Sequence, residues 1–185
     1  MSTPTSLARA FLPALLLLLG TMAPAVAQER GNDEARTSPN AAVSQTIDTT
    51  EVRITYGRPQ VNDRTIFGEL VPYDEVWRTG ANEATTISFS DDVRVEGEPI
   101  EAGTYSLYTI PGQDTWTIIF NDVANQWGTQ YEESEDVLRV EVTPESAPFH
   151  EMMTFRFGNV TDTRGTAALL WDEIRVPFEI EVAQN

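Results

Sequence analysis

The segment IRVPFEIEV, Ile174 to Val182, decides the fold. Ile174, Val176, Phe178, Ile180 and Val182 occupy every second position, with Arg175, Pro177, Glu179 and Glu181 between them. Successive side chains of an extended strand point to opposite faces, so this spacing puts five apolar groups on one face and the polar ones on the other. A helix, at about 3.6 residues per turn, would wind the same residues around its whole circumference. Pro177 has no amide hydrogen to give to a ladder, which predicts a sheet edge or a bulge at that point.

The same period of two recurs outward from this segment. EVRITYG sets Val52, Ile54 and Tyr56 together, ATTISFS sets Thr85, Ile87 and Phe89 together, and DVRVEGEPI turns Val93 and Val95 inward before Gly97. TWTIIFN aligns Trp116, Ile118 and Phe120, and MMTFRFG aligns Met153, Phe155 and Phe157. Turn residues punctuate the chain about every eight to twelve positions, in EGEP, IPGQD and TDTRG. No long stretch has a helical period, and no repeat or second domain is visible. The expected architecture is all-β: a single antiparallel β-sandwich over residues 43–185, jelly-roll or immunoglobulin-like.

The first residues read as a secretory signal. Arg9 is followed by the apolar run AFLPALLLLLG and then by APAVAQ, whose Ala25 and Ala27 predict cleavage after Ala27. The apolar run falls short of the roughly 20 residues a membrane helix needs. Residues 1–27 are therefore expected to be a signal peptide and residues 28–42, polar and without period, a flexible leader. The expected location is the periplasm of a bacterium or the medium, with no membrane attachment after cleavage.

Composition narrows the chemistry. With 29 acidic residues against 12 basic ones, a formal net charge of −17 and no lysine, the chain is a poor partner for nucleic acid or anionic membranes. Such a surface suits solubility in high salt, as in a halophilic source. No cysteine is present, which excludes disulfides, a thiolate nucleophile and cysteine zinc sites. The absence of lysine excludes Schiff-base chemistry. His150 is the only histidine and there is no G-x-S-x-G elbow, so a serine triad lacks its parts and His150 reads as structural or surface-exposed. One histidine cannot supply a cupin-type metal site, and the straight acidic run Glu132 to Asp136 curves poorly around calcium. No metal and no cofactor are expected.

The exception to the period of two is the long connection Gly57 to Ala84, GRPQVNDRTIFGELVPYDEVWRTGANEA. Long irregular connections inside compact domains are commonly functional. Within and beside it, Arg58, Arg78, Asn82 and Glu83 offer directional hydrogen bonds, Trp77 offers an apolar platform and Trp127 a wall. These six are the candidate ligand-binding residues. The bland alternative makes them a tied loop, with Arg78 paired to Glu83. A carboxylate pair, Glu83 with Glu75 or Asp74, would suit glycoside hydrolysis if held at a fixed separation.

The blocks YGRPQVNDRTIFGELVPYDEVWRTGANEATTISFS, AGTYSLYTIPG, WTIIFN and NQWG resemble secreted bacterial proteins of the domain of unknown function family 2911. The resemblance runs from about Gln45 to Val182, over nearly all of the expected mature chain. It implies a secreted or periplasmic β-rich domain and carries over no activity and no catalytic residue. The expected function is a non-enzymatic binding module for a polar small molecule or glycan. The alternatives are a carboxylate-based glycan hydrolase and a structural or protein-interaction domain without a small ligand.

Overall fold

The computed structural model describes residues 36–183. The expected signal peptide and most of the expected leader lie outside the described residues. Ten strands follow one another: β1 (Asn40–Ile47), β2 (Thr50–Gly57), β3 (Thr86–Phe89), β4 (Val93–Val95), β5 (Glu98–Ile100), β6 (Gly103–Ile110), β7 (Trp116–Asn121), β8 (Asp136–Val142), β9 (Glu145–Gly158) and β10 (Arg164–Val182). They form a six-stranded sheet in the order β1-β2-β3-β6-β7-β8 and a four-stranded sheet in the order β5-β4-β10-β9. Every pairing is antiparallel. The larger sheet is a meander interrupted once, where the β4–β5 hairpin leaves to pair with β10. No described helix is long and apolar enough to cross a membrane.

The two sheets share one core. Val52, Ile54 and Tyr56 of β2, Ile87 and Phe89 of β3, and Trp116, Ile118 and Phe120 of β7 meet Met153 and Phe155 of β9 and Val176, Phe178, Ile180 and Val182 of β10. Phe120 and Phe178 meet edge to face across the sandwich, centroids 6.4 Å apart. Tyr56 packs on Phe155 at 4.9 Å, and the Phe155 amide donates to the Tyr56 hydroxyl at 3.0 Å. A backbone-to-hydroxyl bond and an aromatic contact thus pin the sheets together at one point.

Pro177 lies in the strand between both neighbours. Pairing with β9 ends at Arg175 and pairing with β4 begins at Ile180, so its missing amide falls where β10 passes from one partner to the other. The first half of β10 departs from the period of two. Ala167, Ala168, Leu169, Leu170 and Trp171 are all buried, which requires cover on both faces. A break follows at Asp172, which has a left-handed φ of 54° and interrupts the β9 register.

The expected leader, 28–42, overlaps an ordered strand. Asn40, Ala41 and Ala42 pair with Gly57, Tyr56 and Thr55. Those residues carry no apolar alternation of their own; the β2 backbone supplies the pairing. Strand β8 also lies beyond the acidic run, with Leu138, Val140 and Val142 turned to the core side.

Candidate functional site: a cleft at the β2–β3 connection

Residues 58–85 form the irregular connection from β2 to β3, held by backbone bonds at several points. Beyond the start of β3 it takes over that strand's place beside β6. Trp77 and Thr109 exchange amide bonds at 2.7 and 2.9 Å, and the Asp74 amide donates to Pro111 O at 2.8 Å. Its far end lies against β2 so closely that a Cβ on Gly57 would stand 2.2 Å from Ala81 O. Only glycine allows this approach.

Five non-glycine residues of the stretch take left-handed backbone: Asn62 (φ 47°), Asp63 (φ 56°), Asp74 (φ 60°), Thr79 (φ 53°) and Asn82 (φ 67°). For the β-branched Thr79 this is a true outlier, costing on the order of 1–3 kcal/mol. Its surroundings hold it there. Thr79 Oγ1 lies 3.0 Å from Thr109 Oγ1, and Thr85 Oγ1 donates to Thr79 O at 2.8 Å. All three hydroxyl residues are buried.

Glu83 is buried and gripped by Arg36 in a two-pronged pair, Nη1 to Oε2 at 2.5 Å and Nη2 to Oε1 at 2.6 Å. The carboxylate is thereby compensated from the segment before β1, not by Arg78 as the tied-loop reading expects. Arg78 instead donates from Nε to Gly80 O at 3.1 Å and makes no ion pair among the described residues. Arg58 is spent on the other sheet, donating to Met153 O at 2.9 Å and Thr154 Oγ1 at 2.7 Å. Asn82 donates through Nδ2 to Ser38 O at 3.3 Å.

Beside this connection lies a cleft of about 670 Å³. Trp77 and Trp171 line it, stacked 14° from parallel with centroids 5.7 Å apart. Leu70 and Val76, 45% and 41% exposed, give it an apolar rim. Polar lining comes from Gln60, Asn62, Arg64, Arg78, Thr129 and Tyr131, among others. The indole Nε1 of Trp171 is buried and has no hydrogen-bond partner among the described residues. Among the described residues, no aspartate or glutamate lines the cleft. Gly128 closes one side: a Cβ there would stand 2.7 Å from Arg78 Cδ and 2.9 Å from Asn82 O.

Tyr108 and Tyr131 also line the cleft, rings 4.9 Å apart. Burial, helped by the charge of Asp136, pushes the Tyr108 hydroxyl up to about 12; the amide of Gln126 at 3.2 Å works weakly the other way. Burial and the bond to Asp136 at 2.6 Å likewise push Tyr131 up to about 12. Both phenols are neutral donors at ordinary pH.

Of the six residues picked from the sequence, the structure brings Trp77 and Arg78 into the cleft lining. Asn82, Glu83 and Trp127 come together behind it through backbone pairing. The Ala84 amide donates to Gln126 O and the Gly128 amide to Asn82 O, both at 3.0 Å, while the Trp127 side chain stays half exposed. Arg58 sits between the sheets. Trp171 and Tyr108 were missed because both stand in buried strands where an aromatic residue reads as core. Thr37 and Ser38, also in the lining, fell within the presumed leader.

The fold and cleft define a β-sandwich that carries a cleft over a long, rigid inter-strand connection. The family described as protein of unknown function (DUF2911) matches residues 38–180, and the chain belongs to it. No curated protein and no solved structure matches the chain.

Proposed function

We propose that this protein is an exported binding module that holds a polar small molecule or glycan in the cleft over Trp77 and Trp171. The observation that carries this reading is a cleft joining a flat aromatic pair to arginine N–H groups that the protein leaves unused. The terminal guanidinium nitrogens of Arg78 bond to no described residue. An aromatic platform with planar polar groups suits a ring-bearing ligand. The strained, multiply tied connection supports the same reading, because a rigid scaffold limits the ordering lost on binding.

A carboxylate-based hydrolase has less support. Such an enzyme needs two acids flanking the scissile bond. Glu83 is buried behind the cleft in a pair with Arg36, and neither Asp74 nor Glu75 is in the lining. The reading is tested by a thermal-shift screen of sugars, organic acids and nucleotides. A ligand at about 100 times its dissociation constant should stabilise the fold by roughly 2.7 kcal/mol. The expected result is a stabilising ligand whose effect disappears in Arg78→Ala. A panel with no stabilising member would favour a structural or protein-interaction domain.

A further inference from the structure

The charge of the cleft runs against the charge of the chain. Carboxylates outnumber guanidinium groups 29 to 12 over the whole sequence. In three other clefts they appear as that ratio leads one to expect: Glu96, Glu141, Glu145 and Glu179 in one, Glu133 and Asp136 in a second, Asp91 and Asp92 in a third. Among the described residues, the lining of the cleft over Trp171 has no carboxylate and two arginines, Arg64 and Arg78. The nearest buried acid, Glu83, is neutralised from behind by both prongs of Arg36. Neither lining arginine is used in an ion pair among the described residues. Arg64 bonds only to the carbonyls of Gln60 and Val61, and Arg78 only to that of Gly80.

The donors in the cleft outrun what the protein accepts from them. The two guanidinium groups have N–H hydrogens that no described group accepts, and a guanidinium cannot itself accept. A ligand that satisfies them must bring acceptors, and a carboxylate brings two oxygens matched to a guanidinium fork. The stacked indoles and the rim of Leu70 and Val76 call for a flat or ring-shaped body attached to that group. We infer that the cleft takes a small carboxylate-bearing ring compound, with the acid on Arg78 and Arg64 and the ring against Trp77. This rests on the cleft being the binding site.

Two matched pairs of probes test it by calorimetric titration of the purified protein: galacturonate against galactose, and 4-hydroxybenzoate against 4-hydroxybenzyl alcohol. The expected result is that at least one acid binds ten-fold or more tighter than its neutral partner. Arg78→Ala and Arg64→Gln should each erase that preference while the protein still unfolds cooperatively. The pair that responds separates an acidic sugar from an aromatic acid. Equal binding of acid and neutral partner would overturn the carboxylate inference and leave the cleft reading standing. Absence of binding by all four probes would overturn the inference, and a wider panel that also failed would bring down the cleft reading with it.

Discussion

The face of β10 from Ile174 to Val182 and the connection from Arg58 to Thr85 lie in one small domain and are built by opposite means. On β10, five apolar side chains at every second position lie against the other sheet, and any of several apolar groups would serve at each. In the connection, stability hangs on single atoms: Arg36 on Glu83, Arg58 on Met153 O and Thr154, and Thr79 held at positive φ by Thr85. The difference teaches where each kind of sequence change acts. Burial is non-directional and proportional to area, so the strand face loses stability in graded steps. A directional bond to a buried group is present or absent, and its loss leaves the other partner stranded.

The contrast can be broken most forcefully on the strand side. Phe178 is 1% exposed, and Phe178→Ala should cost about 3–5 kcal/mol in urea denaturation with the cleft residues unchanged. On the connection side, Arg36→Ala removes the two-pronged pair to buried Glu83 and should cost about 3 kcal/mol. A cost near zero would mean that Glu83 is compensated without Arg36 and that this pair does not hold the connection. Gly128→Ala drives a methyl into Arg78 Cδ and should cost about 2 kcal/mol, by thermal unfolding, for overpacking one point of the cleft wall.

Arg78→Ala sharpens the comparison by having little effect on stability. The side chain makes one bond to Gly80 O and no ion pair, so about 1 kcal/mol or less should be lost. A loss as large as that of Arg36→Ala would show that Arg78 is structural. The slightest effect at neutral pH belongs to the tyrosines. Tyr108 and Tyr131 are raised from 10.0 to about 12 in the fold, so the stabilising neutral form is fully present below pH 10 and is lost as pH rises towards 12. The urea midpoint should fall over that window, and less steeply in Tyr108→Phe. A fall of the same steepness in the variant would assign the alkaline loss to other groups.

The two regions were also unequally legible. Ile174 to Val182, Val52 to Tyr56 and Trp116 to Phe120 announced their faces through the period of two, because one face is wet and the other buried. Gly103–Ile110 and Ala167–Trp171 did not, since strands covered on both faces lose that alternation. Leu138, Val140 and Val142 do alternate, directly after an acidic run that reads as solvated charge. In the connection, residue type marked Trp77 and Arg78 as unusual, and both line the cleft. Nothing in the spacing could tell that Glu83 answers to Arg36, 47 positions away, or that Trp171 reaches the cleft from β10. Pairing across such distances follows from topology, which local periodicity does not encode.

The central claim, that the cleft over Trp77 and Trp171 is where a ligand binds, is tested most directly by the indole N–H resonances of the four tryptophans. Trp171 and Trp116 are matched for this purpose: both are buried with an indole Nε1 that has no described partner, but only Trp171 lines the cleft. On titration with the stabilising compound from the thermal screen, the account predicts saturable shifts of the Trp171 and Trp77 resonances, with Trp116 nearly still. A compound that stabilises the protein while leaving Trp171 and Trp77 unmoved would place the binding site elsewhere and contradict it.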